Sequence, residues 1–208
     1  AIRSSSGDYQ PAGTEPAITS VVIDSREVGP GSLFVAFAGE QVDGHDYVQT
    51  AFERGAVAAL VQQTVPGDHM TIDLRGSASQ NVTSETQINT PVCLLVDDTL
   101  AALQAAAKAW RGRFPIRVIG ITGSVGKTST KELVYSVLSR RYRTLKSAGN
   151  QNNEIGLPLT LLKLQRHHQR AVLEMGMYTT GEISRLCDLA QPEIGVLTIV
   201  CPVHLERA

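Results

Sequence analysis

Short apolar runs alternate with turn-forming residues over the first third of the 208-residue chain. Three of these runs are rich in β-forming residues and are predicted to be strands, at residues 19–24, 33–39 and 56–61. Between the last two runs, the spacing of the apolar positions in 46–56 is typical of a helix. This order of elements predicts a small α/β unit in the N-terminal part of the chain.

A long polar segment, residues 64–91, follows this unit and is rich in Ser, Thr, Gly and Asn. Its length and composition indicate a surface excursion, in which "MTIDL" (70–74) is predicted to form a short hairpin strand. The apolar run 91–96 then predicts a buried strand. Either Asp97 or Asp98 can cap the helix that comes next.

The Ala-rich segment 99–114 is predicted to be a helix that ends before Pro115. Proline cannot continue a helix, so a boundary between two domains is placed near residues 112–115. The predicted domains are an N-terminal domain, residues 1–113, and a second domain, residues 114–208.

From residue 116 onward the pattern becomes strand, glycine loop and helix, and strands and helices then alternate. Strands are predicted at 116–122, 142–147, 170–176 and 193–200, with helices between them at 127–141, 157–165 and 181–190. Because each parallel crossover needs a connecting helix, this alternation predicts a parallel sheet covered by helices. The expected fold class is α/β, a small α/β domain followed by a truncated parallel-sheet domain, and the chain is expected to be the front part of a longer protein.

Charge and cysteine content narrow the class of partner. Nineteen basic and twenty acidic residues give a net charge of −1, which predicts no overall attraction to nucleic acid or to an anionic membrane. The three cysteines lack metal-ligand spacing and fit a reducing compartment, so a cytoplasmic protein is expected. No apolar run approaches the roughly 20 residues of a membrane span, and the N-terminus lacks the apolar core of a signal peptide. Any anionic ligand must therefore be bound by a local site.

The segment 120–130, "GITGSVGKTST", has the order expected of a phosphate-binding loop (P-loop), since a strand runs into glycines and then into a helix. The usual pattern G-x-x-x-x-G-K-[ST] would place a glycine at Ile121, so the loop departs from that pattern. Lys127 would place its charge on the β- and γ-phosphates, and the Thr128 hydroxyl would bind Mg²⁺. The alternative is an ordinary strand-to-helix turn with an incidental lysine, but the occurrence of all the parts in order favours nucleotide binding.

The departure at Ile121, together with the absence of a base-specifying N-K-x-D, argues against a small GTPase or a typical kinase. What remains, T-G-S-x-G-K-T, resembles the Mur ligase family, whose members are ATP-dependent amide-forming enzymes of peptidoglycan synthesis. The resemblance extends from about Thr19 to the C-terminus and is weakest over 64–91. It implies ATP and Mg²⁺ as cofactors and a P-loop domain of the ATPase type. The implied ATP-binding residues are Thr122, Gly123, Ser124, Val125, Gly126, Lys127, Thr128 and Ser129.

Residues 24–48 are similar to the N-terminal domain shared by the family members that add the third amino acid and the terminal dipeptide. In the family this domain holds the UDP end of the substrate. The resemblance implies substrate contacts from Ser25, Glu40, Gln41 and Val42. Local roles are an equal alternative, because short polar side chains are common in turns: a turn network over 24–26 and a helix cap over 43–45.

The loop 149–158, "GNQNNEIGLP", resembles the G-N-x-N-N-x-x-G-x-P of the family member that adds the dipeptide. Amides both donate and accept hydrogen bonds, which suits a sugar, phosphate or peptide better than a metal. The implied substrate-binding residues are Asn150, Asn152 and Asn153. An Asn-rich turn with a helix cap is the alternative.

Two further residues complete the site that the resemblance implies. Glu174 ends an apolar strand at the edge where ligands bind in open α/β sheets, and its E-M-G context again matches the dipeptide-adding member. His204 matches a family histidine that helps to hold a second Mg²⁺. The resemblance implies Thr128, Glu174 and His204 as metal ligands, and Lys127, Glu174 and His204 as catalytic residues.

The implied reaction joins D-Ala-D-Ala to UDP-MurNAc-tripeptide through an acyl phosphate and needs no protein nucleophile. We expect the chain to be a monomer, and to lack the carbamoylated lysine and the C-terminal domain of the family, so that it binds substrate without turnover by itself. Another Mur-type amide ligase and a non-catalytic nucleotide-binding module are the alternatives.

Overall fold

The computed structural model describes residues 17–39, 42–76 and 88–201. The chain divides into two compact units, Ala1–Asp97 and Asp98–Ala208. The first unit therefore ends directly before the Ala-rich helix.

The first unit is a five-stranded parallel sheet with a helix packed against it. Its elements are β1 (Ser20–Val22), β2 (Ser32–Val35), α1 (Val48–Glu53), β3 (Ala58–Val61), β4 (Met70–Asp73) and β5 (Val92–Leu95). The strands lie in the order β1-β2-β3-β5-β4, and all pairs are parallel. Side chains from the strands and from α1 form the core of this unit, which includes Phe34, Val48, Ala51, Val61 and Leu95. The predicted small α/β unit is confirmed.

The strand β4 lies where the sequence predicts a short strand, but the prediction of a hairpin is wrong. β4 pairs with β5 in parallel, with Met70 opposite Val92 and Ile72 opposite Leu94. Parallel neighbours cannot be joined by a tight turn and need a long connection. The polar segment between β4 and β5 provides the length for that connection, and its residues 77–87 lie outside the described part of the chain.

The second unit is a parallel sheet with helices between its strands. Its elements are α2 (Thr99–Arg111), β6 (Arg117–Thr122), α3 (Lys127–Leu138), β7 (Thr144–Lys146), α4 (Gly156–Leu161), β8 (Arg170–Glu174), α5 (Glu182–Ala190) and β9 (Ile194–Leu197). The strand order is β7-β8-β6-β9, and every pair is parallel, as predicted. Among the described helices, α2 is the longest at 13 residues, and none combines the length and apolarity that crossing a membrane would need.

Helix α2 packs in the second unit, whereas the boundary predicted at 112–115 assigns it to the first. The Trp110 indole donates to the Leu164 carbonyl at 3.1 Å. The Arg111 guanidinium, only 6% exposed, donates to the Ala190 carbonyl at 2.9 Å. These contacts join α2 to the ends of α4 and α5, so packing places the break before the helix, although Pro115 ends it.

The register of the second sheet brings together the two strand ends that carry the predicted site. β6 and β8 pair directly, and Ile121 lies opposite Glu174. Ile121 is fully buried and packs with Val172 in a small apolar cluster. The loop after β6 therefore begins at the same sheet edge at which Glu174 ends β8, the edge where open α/β sheets bind ligands.

Candidate nucleotide-binding site

Backbone geometry explains the two glycines of the loop between β6 and α3. Gly126 has φ of 87°, a left-handed conformation that L side chains rarely adopt, and it directly precedes α3. Gly123 has φ of 136°, and a Cβ there would lie 2.1 Å from the Thr198 hydroxyl oxygen. Ile121, where the usual pattern has glycine, is instead a buried strand position. The shorter glycine pattern is therefore what this backbone requires.

The loop is attached to the segment that follows β9. The Ser124 amide donates to the Ile199 carbonyl at 2.6 Å, and the Ser124 hydroxyl exchanges hydrogen bonds with the Cys201 backbone at 3.0 Å. The Thr198 hydroxyl donates to the Val125 carbonyl at 2.7 Å. Ser124, one of the predicted cofactor-binding residues, thus already uses its amide and hydroxyl to hold the loop in place.

The amides at the start of α3 are the groups that a phosphate could use. The first bond of the helical type runs from the Thr130 amide to the Gly126 carbonyl at 2.9 Å. The amides of Lys127, Thr128 and Ser129 precede that bond, so the helix itself gives them no acceptor. Thr128 and Ser129 are also exposed. A helix N-terminus of this kind favours an anion through its amides and its dipole.

The Lys127 side chain folds back over the loop. Its ammonium group donates to the Gly123 carbonyl at 2.6 Å and lies 3.3 Å from the Ser124 carbonyl. Both acceptors are neutral backbone groups. A phosphate would offer the same ammonium group a charged acceptor, and charge-assisted hydrogen bonds are about twice as strong as neutral ones.

Glu174 is the centre of the hydrogen-bond network beside the loop, and its side chain is 3% exposed. The Thr128 hydroxyl donates to Oε2 at 3.0 Å, and the Asn152 amide donates to Oε1 at 2.9 Å. The structure therefore brings together three of the predicted site residues, from α3, from β8 and from the loop before α4.

The donor set suits a hard divalent cation. A hydroxyl and a carboxylate are both oxygen ligands, and Mg²⁺ usually takes one or two such groups together with phosphate oxygens and water. The described residues contain no group of three or more His, Cys, Asp or Glu side chains that could hold a metal ion. Thr128 and Glu174 therefore fit a Mg²⁺ that arrives with a nucleotide, and they do not form a closed structural metal site. His204, the third predicted ligand, lies outside the described residues.

The amide-rich loop has both a structural part and an exposed part. The Asn153 side-chain oxygen accepts from the Gly156 amide at 2.8 Å and so caps the start of α4, as the alternative interpretation holds. The Asn152 backbone carbonyl accepts from the Gly176 amide at 2.7 Å, which ties the loop to the end of β8. Asn150 is exposed.

Two buried polar residues of this site were missed by sequence reasoning. Lys131 is 1% exposed and lies 3.5 Å from the Glu174 carboxylate. Ser147 is fully buried, and its hydroxyl oxygen accepts from the Glu174 amide at 3.1 Å. A signal for Lys131 exists in the sequence, because it follows Thr128 by three positions and such residues share a helix face. Ser147 gives no comparable signal.

In the first unit, the structure describes two of the four predicted substrate-binding residues, Ser25 and Val42. Ser25 is half-buried in a short 3-10 turn, Ser25–Glu27. Asp24 caps that turn and pairs with Arg26, whose side-chain hydrogen bond lowers the pKa of Asp24 to about 2. Val42 is 56% exposed. Glu40 and Gln41 lie outside the described residues.

A second local network in this unit surrounds His45, which is 5% exposed. The His45 Nε2 accepts from the Gln62 amide at 2.9 Å, so its Nδ1 carries the hydrogen that is donated to Asp43 at 2.6 Å. Asp43 also accepts from the His45 amide, and this backbone hydrogen bond is the main cause that lowers the pKa of Asp43. The helix-cap interpretation of residues 43–45 is therefore confirmed.

A parallel sheet whose first βα loop presents a lysine, a threonine and free helix amides beside a buried carboxylate defines the class of P-loop nucleotide-binding folds. Sequence models of two domains of one family match the chain: the Mur ligase family catalytic domain over residues 17–111 and the Mur ligase middle domain over residues 121–208. The chain belongs to the Mur ligase family. The matched segments divide the chain after residue 111, whereas packing divides it before Asp98.

Relatives within the family are similar over most of this chain. It is 40% identical over 195 residues to the UDP-N-acetylmuramoyl-tripeptide--D-alanyl-D-alanine ligase of Bacillus subtilis, a match that covers 92% of this chain and 38% of that protein. The solved UDP-N-acetylmuramoylalanyl-D-glutamyl-2,6-diaminopimelate--D-alanyl-D-alanyl ligase of Acinetobacter baumannii aligns with a TM-score of 0.74 and 32% identity, over 91% of this chain and 38% of its own. The MurF ligase of Thermotoga maritima, solved in complex with ADP, aligns with a TM-score of 0.71 and 34% identity, over 90% of this chain and 39% of its own. The chain thus spans well under half the length of these relatives.

Proposed function

We propose that this chain binds ATP and UDP-MurNAc-tripeptide as part of a ligase that joins D-Ala-D-Ala to the tripeptide. The observation that carries the proposal is the hydrogen bond of 3.0 Å between Thr128, at the start of the P-loop helix, and the buried Glu174. It occurs in a chain that is 40% identical to a tripeptide–D-alanyl-D-alanine ligase. The ADP in the Thermotoga maritima relative supports the choice of an adenine nucleotide.

The chemistry of amide formation explains why such a site needs a nucleotide. A carboxylate at neutral pH has no leaving group, so one of its oxygens must first be phosphorylated to give an acyl phosphate. Phosphoryl transfer is catalysed mainly by positioning and by electrostatic stabilisation, and it needs no protein nucleophile. In this chain, Lys127 would bind the β- and γ-phosphates, and the amides of Lys127, Thr128 and Ser129 would hold their oxygens.

Thr128 and Glu174 would hold the Mg²⁺ that accompanies ATP, and His204 would be a ligand of a second ion. Bound there, Mg²⁺ supplies positive charge against the phosphate oxygens during transfer. Glu174 is suited to this task because Asn152 already fixes its other oxygen. The carboxylate therefore loses little further freedom when a ligand binds.

Each unit has its own proposed substrate contacts. In the second unit, Asn150 and the amide groups of Asn152 and Asn153 would bind UDP-MurNAc-tripeptide near the nucleotide. In the first unit, Ser25 and residues 40–42 would hold the UDP end of the substrate. A non-catalytic nucleotide-binding module and another amide ligase of the family are the other candidates. We also propose that the protein is a cytoplasmic monomer, which light scattering on the purified chain would test for its oligomeric part.

Binding and turnover experiments test the proposal. Titration with a fluorescent ADP analogue should show affinity that increases when Mg²⁺ is added. Calorimetry should show tighter binding of UDP-MurNAc-tripeptide than of the dipeptide precursor, which a third-residue ligase would prefer. Tighter binding of the dipeptide precursor than of UDP-MurNAc-tripeptide would contradict the substrate assignment, and an absence of nucleotide binding would contradict the assignment of an ATP site.

A further inference from the structure

Lys131 lies in the interior of the second unit, with only 1% of its surface exposed. Lysine is almost never buried without a partner, because removing its charge from water is costly. It lies on α3, one turn after Thr128, on the helix face that points toward β8. None of the roles proposed above uses it.

The Lys131 ammonium group reaches two parts of the proposed site. It lies 3.5 Å from Oε2 of Glu174, the same oxygen that accepts from Thr128. It also donates to the Gly149 carbonyl at 3.2 Å, at the start of the amide-rich loop. A single group on α3 therefore contacts both the carboxylate at the end of β8 and the loop that precedes α4.

The charges around Lys131 alternate in sign, from two partly exposed side chains to two buried ones. Lys146, about one-third exposed, pairs with Glu132, and Glu132 lies 3.6 Å from the Lys131 ammonium group. Lys131 is in turn next to Glu174. Two carboxylates and two ammonium groups thus form a neutral chain, in which Lys131 is the cation in contact with the buried Glu174.

We propose that Lys131 is a positioning residue of the nucleotide site, which holds the Glu174 carboxylate toward Thr128 and fixes the amide-rich loop to α3. This inference rests on the proposed function. A buried carboxylate that loses its cation is strongly destabilised, so without Lys131 the side chain of Glu174 would leave its present position. The oxygen ligand for Mg²⁺ would then be displaced, although Thr128 and the P-loop would be unchanged.

Three variants of the 208-residue chain test the proposal: Lys131→Met, Lys131→Arg and, as a control, Lys108→Met, which removes an exposed lysine of α2. The readout is the ratio of the Kd of a fluorescent ADP analogue without Mg²⁺ to its Kd with Mg²⁺. We expect this ratio to fall about tenfold in Lys131→Met, because a buried charge contact is lost. Lys131→Arg keeps the charge and should lose no more than about threefold. The Lys108→Met ratio should equal that of the unmodified chain.

Thermal unfolding supplies a readout that does not depend on the metal. Lys131→Met should lower the melting temperature of the unmodified chain. In a Glu174→Gln background the lysine has already lost its main carboxylate. There, Lys131→Met should lower the melting temperature by less than half as much as it does in the unmodified chain, or should raise the melting temperature. A purely packing role would give equal decreases in the two backgrounds.

The outcomes separate the two levels of the proposal. If the nucleotide affinity of the unmodified chain is the same with and without Mg²⁺, the proposed function is overturned, and the role of Lys131 with it. A normal Mg²⁺ response in the unmodified chain, with the same ratio in Lys131→Met and Lys108→Met, would overturn the role of Lys131 alone. Equal melting decreases with and without Glu174→Gln would also overturn it.

Discussion

The Thr128 hydroxyl donates a hydrogen bond of 3.0 Å to the Glu174 carboxylate across 46 positions of sequence. The two residues come from different elements, the first turn of α3 and the last residue of β8. Asn152 occupies the other carboxylate oxygen at 2.9 Å. Glu174 is therefore oriented by the protein itself, and in the proposed site a cation that binds between a nucleotide and this edge of the sheet would meet a ligand already in place. Such preorganisation is the main contribution that a protein makes to phosphoryl transfer.

Removal of the Lys127 side chain should weaken nucleotide binding and leave the fold intact. Among the described residues, its ammonium group donates hydrogen bonds to neutral carbonyls of its own loop, at Gly123 and Ser124, so the stability of the unliganded fold should depend little on it. A phosphate would lose a charge-assisted hydrogen bond. We expect Lys127→Ala to weaken the binding of a fluorescent ADP analogue by about tenfold or more, with a melting temperature near that of the unmodified chain.

A Lys163→Ala variant, which removes an exposed lysine of the same unit, is the matched control and should bind normally. Nucleotide affinity equal in both variants would show that Lys127 has no part in the site. If the Lys127→Ala variant also kept its cellular function, the result would favour a non-catalytic nucleotide-binding module.

The two loop glycines should differ in their tolerance of a methyl group. A Cβ atom at Gly126 would meet open space. Gly126→Ala should therefore lose only the stability that corresponds to the strain of its positive φ, about 1–2 kcal/mol. At Gly123 the Cβ would also clash with the Thr198 hydroxyl at 2.1 Å. Gly123→Ala should therefore be the more destabilising change in urea unfolding.

A second substitution at Thr198 identifies the cause of that difference. Thr198→Ala removes the clashing oxygen and should recover part of the stability lost in Gly123→Ala, while it should recover none of the loss in Gly126→Ala. The recovery is only partial because the Ile199 carbonyl lies 3.1 Å from the same built Cβ. Equal losses at the two glycines would contradict this account.

Asn153 allows its structural role and its proposed substrate role to be separated. Its side-chain oxygen caps α4 through the amides of Ile155 and Gly156, at 3.2 and 2.8 Å. Asn153→Asp keeps that acceptor and removes the donor, so the fold should be retained while UDP-MurNAc-tripeptide binds more weakly in calorimetry. Asn153→Ala should in addition lose about 1 kcal/mol of stability. If Asn153→Asp binds the substrate with normal affinity, the proposed substrate role of Asn153 is excluded and the capping role remains.

Much of this fold could be predicted because its signals are local. The strand, glycine loop and helix of residues 117–138 are adjacent in sequence. Asp98 caps α2 by accepting from the amides of Leu100 and Ala101, two and three positions later, at 2.7 and 3.0 Å. The position of Glu174 is likewise a local signal, since an apolar strand ends at it. Periodicity and short motifs report such relationships directly.

The features that sequence reasoning missed depend on contacts between distant segments. β4 has the composition of a strand, but its parallel pairing with β5 is fixed by the sheet and not by any turn signal. The hydrogen bond from Arg111 to the Ala190 carbonyl, 79 positions away, which joins α2 to α5, is likewise not indicated by any local signal. Lys131 was missed for the same reason, because its partners Gly149 and Glu174 lie on other elements. The spacing from Thr128 places Lys131 on the helix face of the site, but a charged residue on a helix is usually at the surface, and its burial follows from packing.

The contribution of Asp43 to stability should depend on pH in a defined direction. Its folded-state pKa is lowered, first by the amide of His45 and then by the His45 ring, so the ionised form is the one that the fold stabilises. A carboxyl group whose pKa is lowered on folding stabilises above its unfolded pKa, about 3.9, and that stabilisation disappears as the pH falls through the folded pKa. Asp43→Ala should therefore cost about 1 kcal/mol between pH 5 and 7, measured by urea unfolding, and the difference from the unmodified chain should narrow below pH about 4. Asp46→Ala, which removes an exposed carboxylate from the same turn, is the control and should show a smaller difference at pH 7. If the difference in unfolding free energy between Asp43→Ala and the unmodified chain stayed constant down to pH 3, the Asp43 side chain would contribute through packing and not through its charge.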